Sequence, residues 1–135
     1  MPTASSNALR WFSRVVLIGI LANLALAVPT LLAPRTLMTF TGLPEATPLL
    51  WPRFAALLLI LLSAFYLPAV IDPTRYRLVA WLAVASRLTG VIFFVGFQSA
   101  VYHQLGYFDL VFFVPEAALL IAAGRAATGT QGALA

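Results

Sequence analysis

The sequence has no cysteine and only one histidine among its 135 residues, and all eight of its basic residues are arginine. Without cysteine the chain can form neither disulfides nor thiolate metal sites, and it has no cysteine nucleophile. The single histidine, His103, cannot provide a bis-histidine haem site within one protomer. Neither a phosphate-binding glycine loop nor a dinucleotide-binding motif occurs. The sequence therefore predicts no catalytic residue and no metal site, and it leaves the question of an enzyme open while favouring a non-enzyme.

Charge is scarce as well. Charged residues make up 9% of the chain and hydrophobic residues 62%, whereas a soluble domain is about a quarter charged and about half apolar. Because so little polar surface cannot cover a water-soluble globule, the solvent of this protein must be lipid. The scattered arginines and the net charge of +4 indicate orientation in a membrane rather than binding to nucleic acid. We expect one membrane domain, residues 1–135.

Four apolar runs are long enough to cross a bilayer as helices, which takes about 20 residues each. The predicted spans are residues 9–28, 49–71, 76–97 and 107–123, followed by a flexible tail over residues 124–135. A mixture of apolar and polar residues after Pro34 predicts a short helix lying at the membrane surface. The predicted fold is therefore all-α: a polytopic membrane protein, with four transmembrane helices in an antiparallel bundle and an interfacial helix between the first two.

Prolines and glycines predict where these helices begin and end. Pro29 and Pro34 are expected to end the first helix. Asp72 has the character of an N-cap, and Pro73 suits the first helical position, so the third helix is expected to begin there at once. Gly106 predicts the break before the fourth helix.

The first apolar run has a second interpretation, as a signal peptide. Arg10 and Arg14 would form its basic region, residues 15–24 its apolar core and residues 25–27 (Ala-Leu-Ala) its cleavage motif. The apolar stretch continues past that motif, and cleavage would leave three helices with their ends on opposite sides. A retained first helix is the preferred prediction, with cleavage as the alternative.

Counting arginines predicts the orientation. The arginines expected on one side are Arg10, Arg14, Arg75, Arg77 and Arg125, and those on the other are Arg35 and Arg53. The positive-inside rule then places both termini in the cytoplasm. The composition is typical of a bacterial protein, so the predicted location is the bacterial inner membrane.

Two ionisable residues, Arg87 and Glu116, are predicted to lie in mid-membrane. Arg87 is about eleven residues, or roughly 16 Å, from the cytoplasmic end of the third helix, in a core about 30 Å thick. Glu116 is about nine residues, or roughly 14 Å, from the outer end of the fourth helix. The two helices run in opposite directions, so both charges reach the same level. Because an unpaired charge at that depth costs several kcal/mol, we expect Arg87 and Glu116 to form an ion pair.

Other polar residues are predicted to face the same interior. Asp109 lies two turns before Glu116 on one helix face, level with Arg53 at the outer start of the second helix, which predicts a second pair between Arg53 and Asp109. Asn23 and Tyr66 are expected to add interior polar contacts. Such groups can fix which helix faces meet or can form a ligand or proton site, and the sequence leaves both open.

Several local features resemble the DoxX-like group of small bacterial integral membrane proteins. The matching features are Pro34, the Gly42-Leu43-Pro44 segment, Arg53 at the start of the second helix, Tyr66, and Asp72-Pro73 followed by a basic turn. The resemblance implies a four-helix plan and an accessory role beside quinone-linked oxidoreductases or oxidative-stress partners. It implies no catalytic residue.

Three functions follow as hypotheses. The first is a non-catalytic accessory or assembly subunit, acting as a homo-oligomer or with a larger membrane partner. The second is a binder or carrier of a small apolar ligand such as a quinone or lipid, held by Arg87, Glu116, Asn23 and Tyr66. The third is a proton-linked transporter working as an oligomer, although no inverted repeat is evident. The lipid bilayer is a partner in each, and nucleic acid in none.

Overall fold

The structure, a computed structural model, describes the backbone of residues 4–132 and the side chains of residues 6–127. The α-helices are α1 (Ala4–Leu32), α2 (Pro34–Thr41), α3 (Leu50–Ile71), α4 (Arg77–Val91) and α5 (His103–Gly132). A π-helical turn, Ile92–Phe97, extends α4, and a 3-10 turn, Ala100–Tyr102, leads into α5. Within these bounds the protein is all-helical.

Four of the helical segments are long and apolar enough to cross a membrane. They are Ser6–Leu32, Leu50–Ile71, Arg77–Phe97 and Ala100–Ala127. Many of their leucine, isoleucine and phenylalanine side chains are exposed on the outside of the protein. A large apolar exterior is what lipid-facing helices present, so the structure has the features of a multi-pass membrane protein.

Helix α1 occupies the centre of the packing, because it contacts α2, α3 and α5, while α4 packs mainly on α5. The buried core cluster consists of Phe12, Val16, Ile20, Tyr66, Ala69, Ala80, Ala83, Val84 and Leu120. Small residues at helix contacts let backbones approach closely, and van der Waals packing is the main attraction between helices in lipid. The alanines of α3 and α4 have this role here.

Helix α1 continues one turn beyond Pro29, where the sequence predicted its end. A proline inside a helix removes one backbone hydrogen bond, but the neighbouring groups are satisfied. The Thr30 hydroxyl donates to the Leu26 carbonyl at 2.7 Å, and the Ala33 amide donates to the Pro29 carbonyl at 2.8 Å. The break falls at Ala33 instead, and Pro34 occupies the first turn of α2.

Helix α4 begins at Arg77, one residue after the start of the predicted span at residue 76, and not directly at the Asp72-Pro73 pair. The Asp72 carboxylate does accept hydrogen bonds as a cap does, from the amides of Thr74 and of the following residue, each at 3.0 Å. It caps a turn, however, because Tyr76 has a non-helical backbone (φ −101°, ψ 42°) and separates this turn from Arg77.

Helix α5 passes through Gly106 without a break and is helical over residues 124–132, where a flexible tail was predicted; residues 133–135 lie outside the described part. Gly106 is buried, and a Cβ added there would lie 2.6 Å from Cγ2 of Val95. Contrary to the prediction, Gly106 therefore does not break the chain before the fourth helix. Its lack of a side chain instead allows α5 to pack closely against the π-helical turn.

Candidate functional site

The guanidinium of Arg87 joins three helices in the interior. Its Nη1 donates to Oδ1 of Asp109 on α5 at 2.8 Å and to Oδ1 of Asn23 on α1 at 2.9 Å. The Arg87 and Asp109 side chains are 5% and 19% exposed. Hydrogen bonds between ionised groups are stronger than neutral ones, and more so away from water. The salt bridge between Arg87 and Asp109 therefore anchors α4 to α5.

The hydrogen-bonded network continues from α1 to α3. Nδ2 of Asn23 donates to Oγ of Ser63 at 3.2 Å, and the Ser63 hydroxyl donates to the Leu59 carbonyl at 2.8 Å. Asn23 and Ser63 are each 1% exposed. A single polar network thus connects all four long helices across an otherwise apolar interior.

Tyr66 makes a separate polar contact between α3 and α4. Its hydroxyl hydrogen-bonds to Oγ of Ser86, and the Ser86 hydroxyl donates to the Ala83 carbonyl at 2.8 Å. Tyr66 is buried in the interior, but it contacts Ser86 rather than the Arg87 network. Its position supports helix packing.

Two glycines make room for the salt bridge. A Cβ added at Gly19 on α1 would lie 2.8 Å from Nη2 of Arg87, and one added at Gly90 on α4 would lie 2.0 Å from Oδ2 of Asp109. Any side chain at Gly90 would therefore occupy the position of the Asp109 carboxylate. The two glycines decide where the two charges meet.

Aromatic rings cover the guanidinium on the α5 side. The guanidinium carbon of Arg87 lies 4.9 Å from the ring centroid of Phe112 and 5.8 Å from that of Phe108. Both distances are within the range of cation–π attraction, which strengthens when the cation is desolvated.

Glu116 is buried beside this network without joining it. It is 1% exposed, and its Oε1 lies 3.5 Å from the position that a Gly19 Cβ would take, on the side of α1 where Arg87 also lies. Oε2 of Glu116 and Nε of Arg87 have no hydrogen-bond partner among the described residues. The salt bridge that the structure forms is Arg87–Asp109, in place of the predicted Arg87–Glu116 pair.

The predicted ion pair between Arg53 and Asp109 does not form either, because Asp109 already pairs with Arg87. Arg53 is exposed at the start of α3, whereas Asp109 bonds to Arg87. The sequence analysis matched acidic and basic residues by the depth of their backbone positions. The long side chain of Arg87, however, places its guanidinium about one helical turn away from its own Cα, at the level of Asp109. Because Gly90 leaves space beside α4, the Arg87 guanidinium and the Asp109 carboxylate can meet there.

A cavity of about 520 Å³ lies between α1, α3 and α5, at the end of the helices nearest α2. Its polar lining side chains are Asn23, Thr30, Tyr102 and Asp109, and most of the others are apolar. Asn23 and Asp109 form one end, which we call the polar floor. The salt-bridge network therefore reaches the cavity through these two residues.

Helix α2 and residues 42–48, which we call the lid, border the cavity at the other end. Leu37 and Met38 of the lid contribute to its lining. Gly42 ends α2 in a left-handed conformation with φ 71°, which glycine adopts readily. Nε2 of Gln104 at the start of α5 donates to the Thr41 carbonyl at 3.1 Å. This hydrogen bond attaches the lid to the rest of the protein.

Some residues of the site could hardly be recognised as functional from the sequence alone. Ser63 and Ser86 are small polar residues in apolar helices, and Gly19 lies one turn before Asn23. A small residue one turn from a polar residue shares its helix face, and this pairing was the available signal. Among the described residues no cluster of His, Asp and Glu suits a metal ion.

Comparisons of the chain with models of protein families, with curated proteins and with solved structures found no match. The DoxX-like resemblance therefore stays a prediction, and the function must be argued from the site.

Proposed function

We propose that this protein binds a small, largely apolar molecule in the cavity between α1, α3 and α5. The observation that supports this function is the cavity of about 520 Å³ with Asn23 and Asp109 at its floor. Ligand pockets in proteins have volumes of about 300–1,000 Å³ and combine apolar walls with a few placed polar groups. This cavity has both properties.

The polar floor is positioned before any ligand arrives. Asn23 and Asp109 both accept hydrogen bonds from Arg87, and Asn23 is also held by Ser63. Side chains that are already fixed lose little conformational freedom on binding, which favours affinity. The buried charges thus serve to fix the polar end of the site, and Arg87 acts on the ligand through Asp109.

The proposal includes a location. We place the four long helices as an antiparallel bundle across a bacterial inner membrane, with both termini in the cytoplasm. The positive-inside rule supports this orientation, since five of the seven arginines near helix ends fall on the terminal side. The lid then lies at the outer surface, and the cavity lies in the outer half of the membrane.

An accessory or assembly subunit is the second candidate. The observation in its favour is that Arg87 is paired by groups of the protein itself, on two other helices, α1 and α5. Such a network fixes helix faces without any ligand. In this function the protein would act as a homo-oligomer or with a larger membrane partner.

Native mass spectrometry of the protein, extracted from its host membrane in lipid nanodiscs, tests the proposal. Ala56 is buried and lines the cavity, so Ala56→Phe should fill it. Ala118 is exposed on α5, and Ala118→Phe is the matched control. We expect a retained non-protein mass in the wild type and in the control, and its loss in Ala56→Phe.

A second blocking variant, Leu37→Trp in the lid, covers the case in which Ala56→Phe unfolds. Retention of the same mass in both blocking variants would contradict the proposal. A second polypeptide in place of a small mass would instead support the accessory subunit.

A further inference from the structure

We infer that the ligand carries a hydroxyl group that donates a hydrogen bond to Asp109. The inference rests on the proposed function, because it concerns the polar end of the same cavity. It follows from which hydrogen-bonding groups the floor has left to offer.

Asn23 is too deeply buried to offer a ligand the one N–H and the one lone pair that its two hydrogen bonds leave over. Its Oδ1 accepts from Arg87 at 2.9 Å, its Nδ2 donates to Ser63 at 3.2 Å, and it is only 1% exposed. Asp109, in contrast, lines the cavity and its side chain remains 19% exposed. The floor therefore presents a ligand with the Asp109 carboxylate.

A salt-bridged carboxylate accepts hydrogen bonds and donates none. Its two oxygens can accept about four hydrogen bonds, and the structure shows one donor, Nη1 of Arg87. A ligand ending in an ether, ester or ketone would place an oxygen without a hydrogen against this carboxylate. An unpaired polar contact away from water is costly, so the floor selects a ligand that donates.

The donor should be neutral. Arg87 and Asp109 already balance each other in charge. An alcohol or phenol adds a hydrogen bond to this pair without bringing another charge out of water, whereas an ammonium group would bring one. The ligand class is therefore a lipid-soluble alcohol or phenol.

The cavity also fixes how such a ligand lies. Thr30 and Tyr102, which line the cavity farther towards the lid, stand seven residues from Asn23 and Asp109, which corresponds to about 10 Å along a helix. A ligand with its hydroxyl at the floor thus extends its apolar part towards the lid. A membrane lipid beside the protein would lie in the opposite direction, with its polar headgroup at the membrane surface.

Two closely related probes test the inference in the wild-type protein: 4-hexylphenol, which donates, and 4-hexylanisole, its methyl ether, which is one methyl group larger and does not. Binding to the protein in nanodiscs is measured by native mass spectrometry over a concentration series. We expect the phenol to bind about tenfold more tightly or better, as one hydrogen bond to a charged group provides. Ala56→Phe should bind neither, and Ala118→Phe should match the wild type.

Each other outcome has a definite meaning. Equal binding of phenol and anisole, both lost in Ala56→Phe, would overturn the hydroxyl inference and leave the proposed function standing. Tighter binding of 4-hexylbenzylamine than of the phenol would show that Asp109 serves as a counter-ion and would overturn the neutral-donor inference. Failure of all probes to bind, or binding unaffected by Ala56→Phe, would overturn the cavity itself and with it the proposed function. No variant of Asp109 is needed, so loss of folding cannot obscure the result.

Discussion

Arg87 on α4 and Asp109 on α5 meet at 2.8 Å in the interior of the protein, at a point where Gly90 leaves room for the carboxylate. Both groups also define the cavity, because Asp109 forms part of its floor and Arg87 holds Asp109 and Asn23 in place. Stability and the proposed ligand binding therefore depend on the same salt bridge.

Removing one partner of this bridge should destabilise the protein strongly. Asp109→Ala removes the only carboxylate that hydrogen-bonds to Arg87 among the described residues, and breaking a buried ion pair typically costs about 3–5 kcal/mol of unfolding free energy. Replacing both partners, as in Arg87→Met with Asp109→Leu, removes the broken ion pair and should recover part of the loss, since Glu116 remains buried beside the site. Chemical denaturation in mixed micelles measures these differences.

Glu45→Ala is the control for that series, since the Arg35–Glu45 salt bridge is exposed, with side chains 73% and 64% accessible. Exposed ion pairs contribute less than about 1 kcal/mol. An Asp109→Ala protein as stable as Glu45→Ala would contradict the role assigned to the buried pair.

Glu116→Gln should have a much smaller effect than Asp109→Asn, although both changes replace a carboxylate with an amide of the same shape. Asp109 bonds to Arg87, whereas Oε2 of Glu116 has no hydrogen-bond partner among the described residues. We expect Glu116→Gln to change the unfolding free energy by at most about 1 kcal/mol. If thermal unfolding showed the two variants equally damaged, Arg87 would be shared between both acids.

Gly90→Ala should break the salt bridge by steric means alone. The added methyl group would lie 2.0 Å from Oδ2 of Asp109, so the carboxylate must move, at a cost of about 1–3 kcal/mol. Gly96→Ala is the matched control in the adjoining π-helical turn, because nothing lies within 4 Å of its added Cβ. Unfolding temperatures of the two variants provide the comparison, and equal temperatures would show that Gly90 does not determine the position of Asp109.

The long helices could be predicted from hydropathy, since about 20 consecutive apolar residues suffice to identify a span. The ends of α3 and of the span Arg77–Phe97 lie within one residue of the predicted 49–71 and 76–97, but the ends of α1 and α5 could not be predicted. Pro29 and Gly106 are strong local signals for a break, yet α1 and α5 continue through both, because satisfied backbone groups and close packing outweigh local preference. The sequence also predicted that Arg87 and Glu116 lie in the interior, and both are buried, but it did not predict the positions of their charged atoms. The choice of Asp109 as the partner depends on the space at Gly90 and Gly19, which only the packed structure reveals.

The proposed orientation predicts which residues can be labelled from outside the cell. The chain contains no cysteine, so single cysteines can be introduced without removing others. We expect Thr39→Cys, exposed on α2, to react with a membrane-impermeant maleimide in intact spheroplasts. Thr74→Cys, exposed in the turn before α4, should react only after the membrane is opened. The reverse pattern would place both termini outside.

Gln104→Ala should change how fast a ligand exchanges more than how tightly it binds. Nε2 of Gln104 attaches the lid to α5 through the Thr41 carbonyl at 3.1 Å, and Gln104 is not part of the cavity lining. A hydrogen bond of this kind contributes about 0.5–1.5 kcal/mol, so its loss should make the lid open more often and speed ligand release up to about tenfold.

Association through the same opening should accelerate to a similar extent, because a group that holds the lid without lining the cavity has the same effect on entry and exit. The measurement is the dissociation rate of 4-hexylphenol after dilution, compared with its equilibrium affinity. Thr36→Ala, exposed on α2 and outside the cavity lining, is the control and should leave both rates unchanged. A Gln104→Ala protein with a wild-type release rate would show that ligands enter between the helices rather than past the lid.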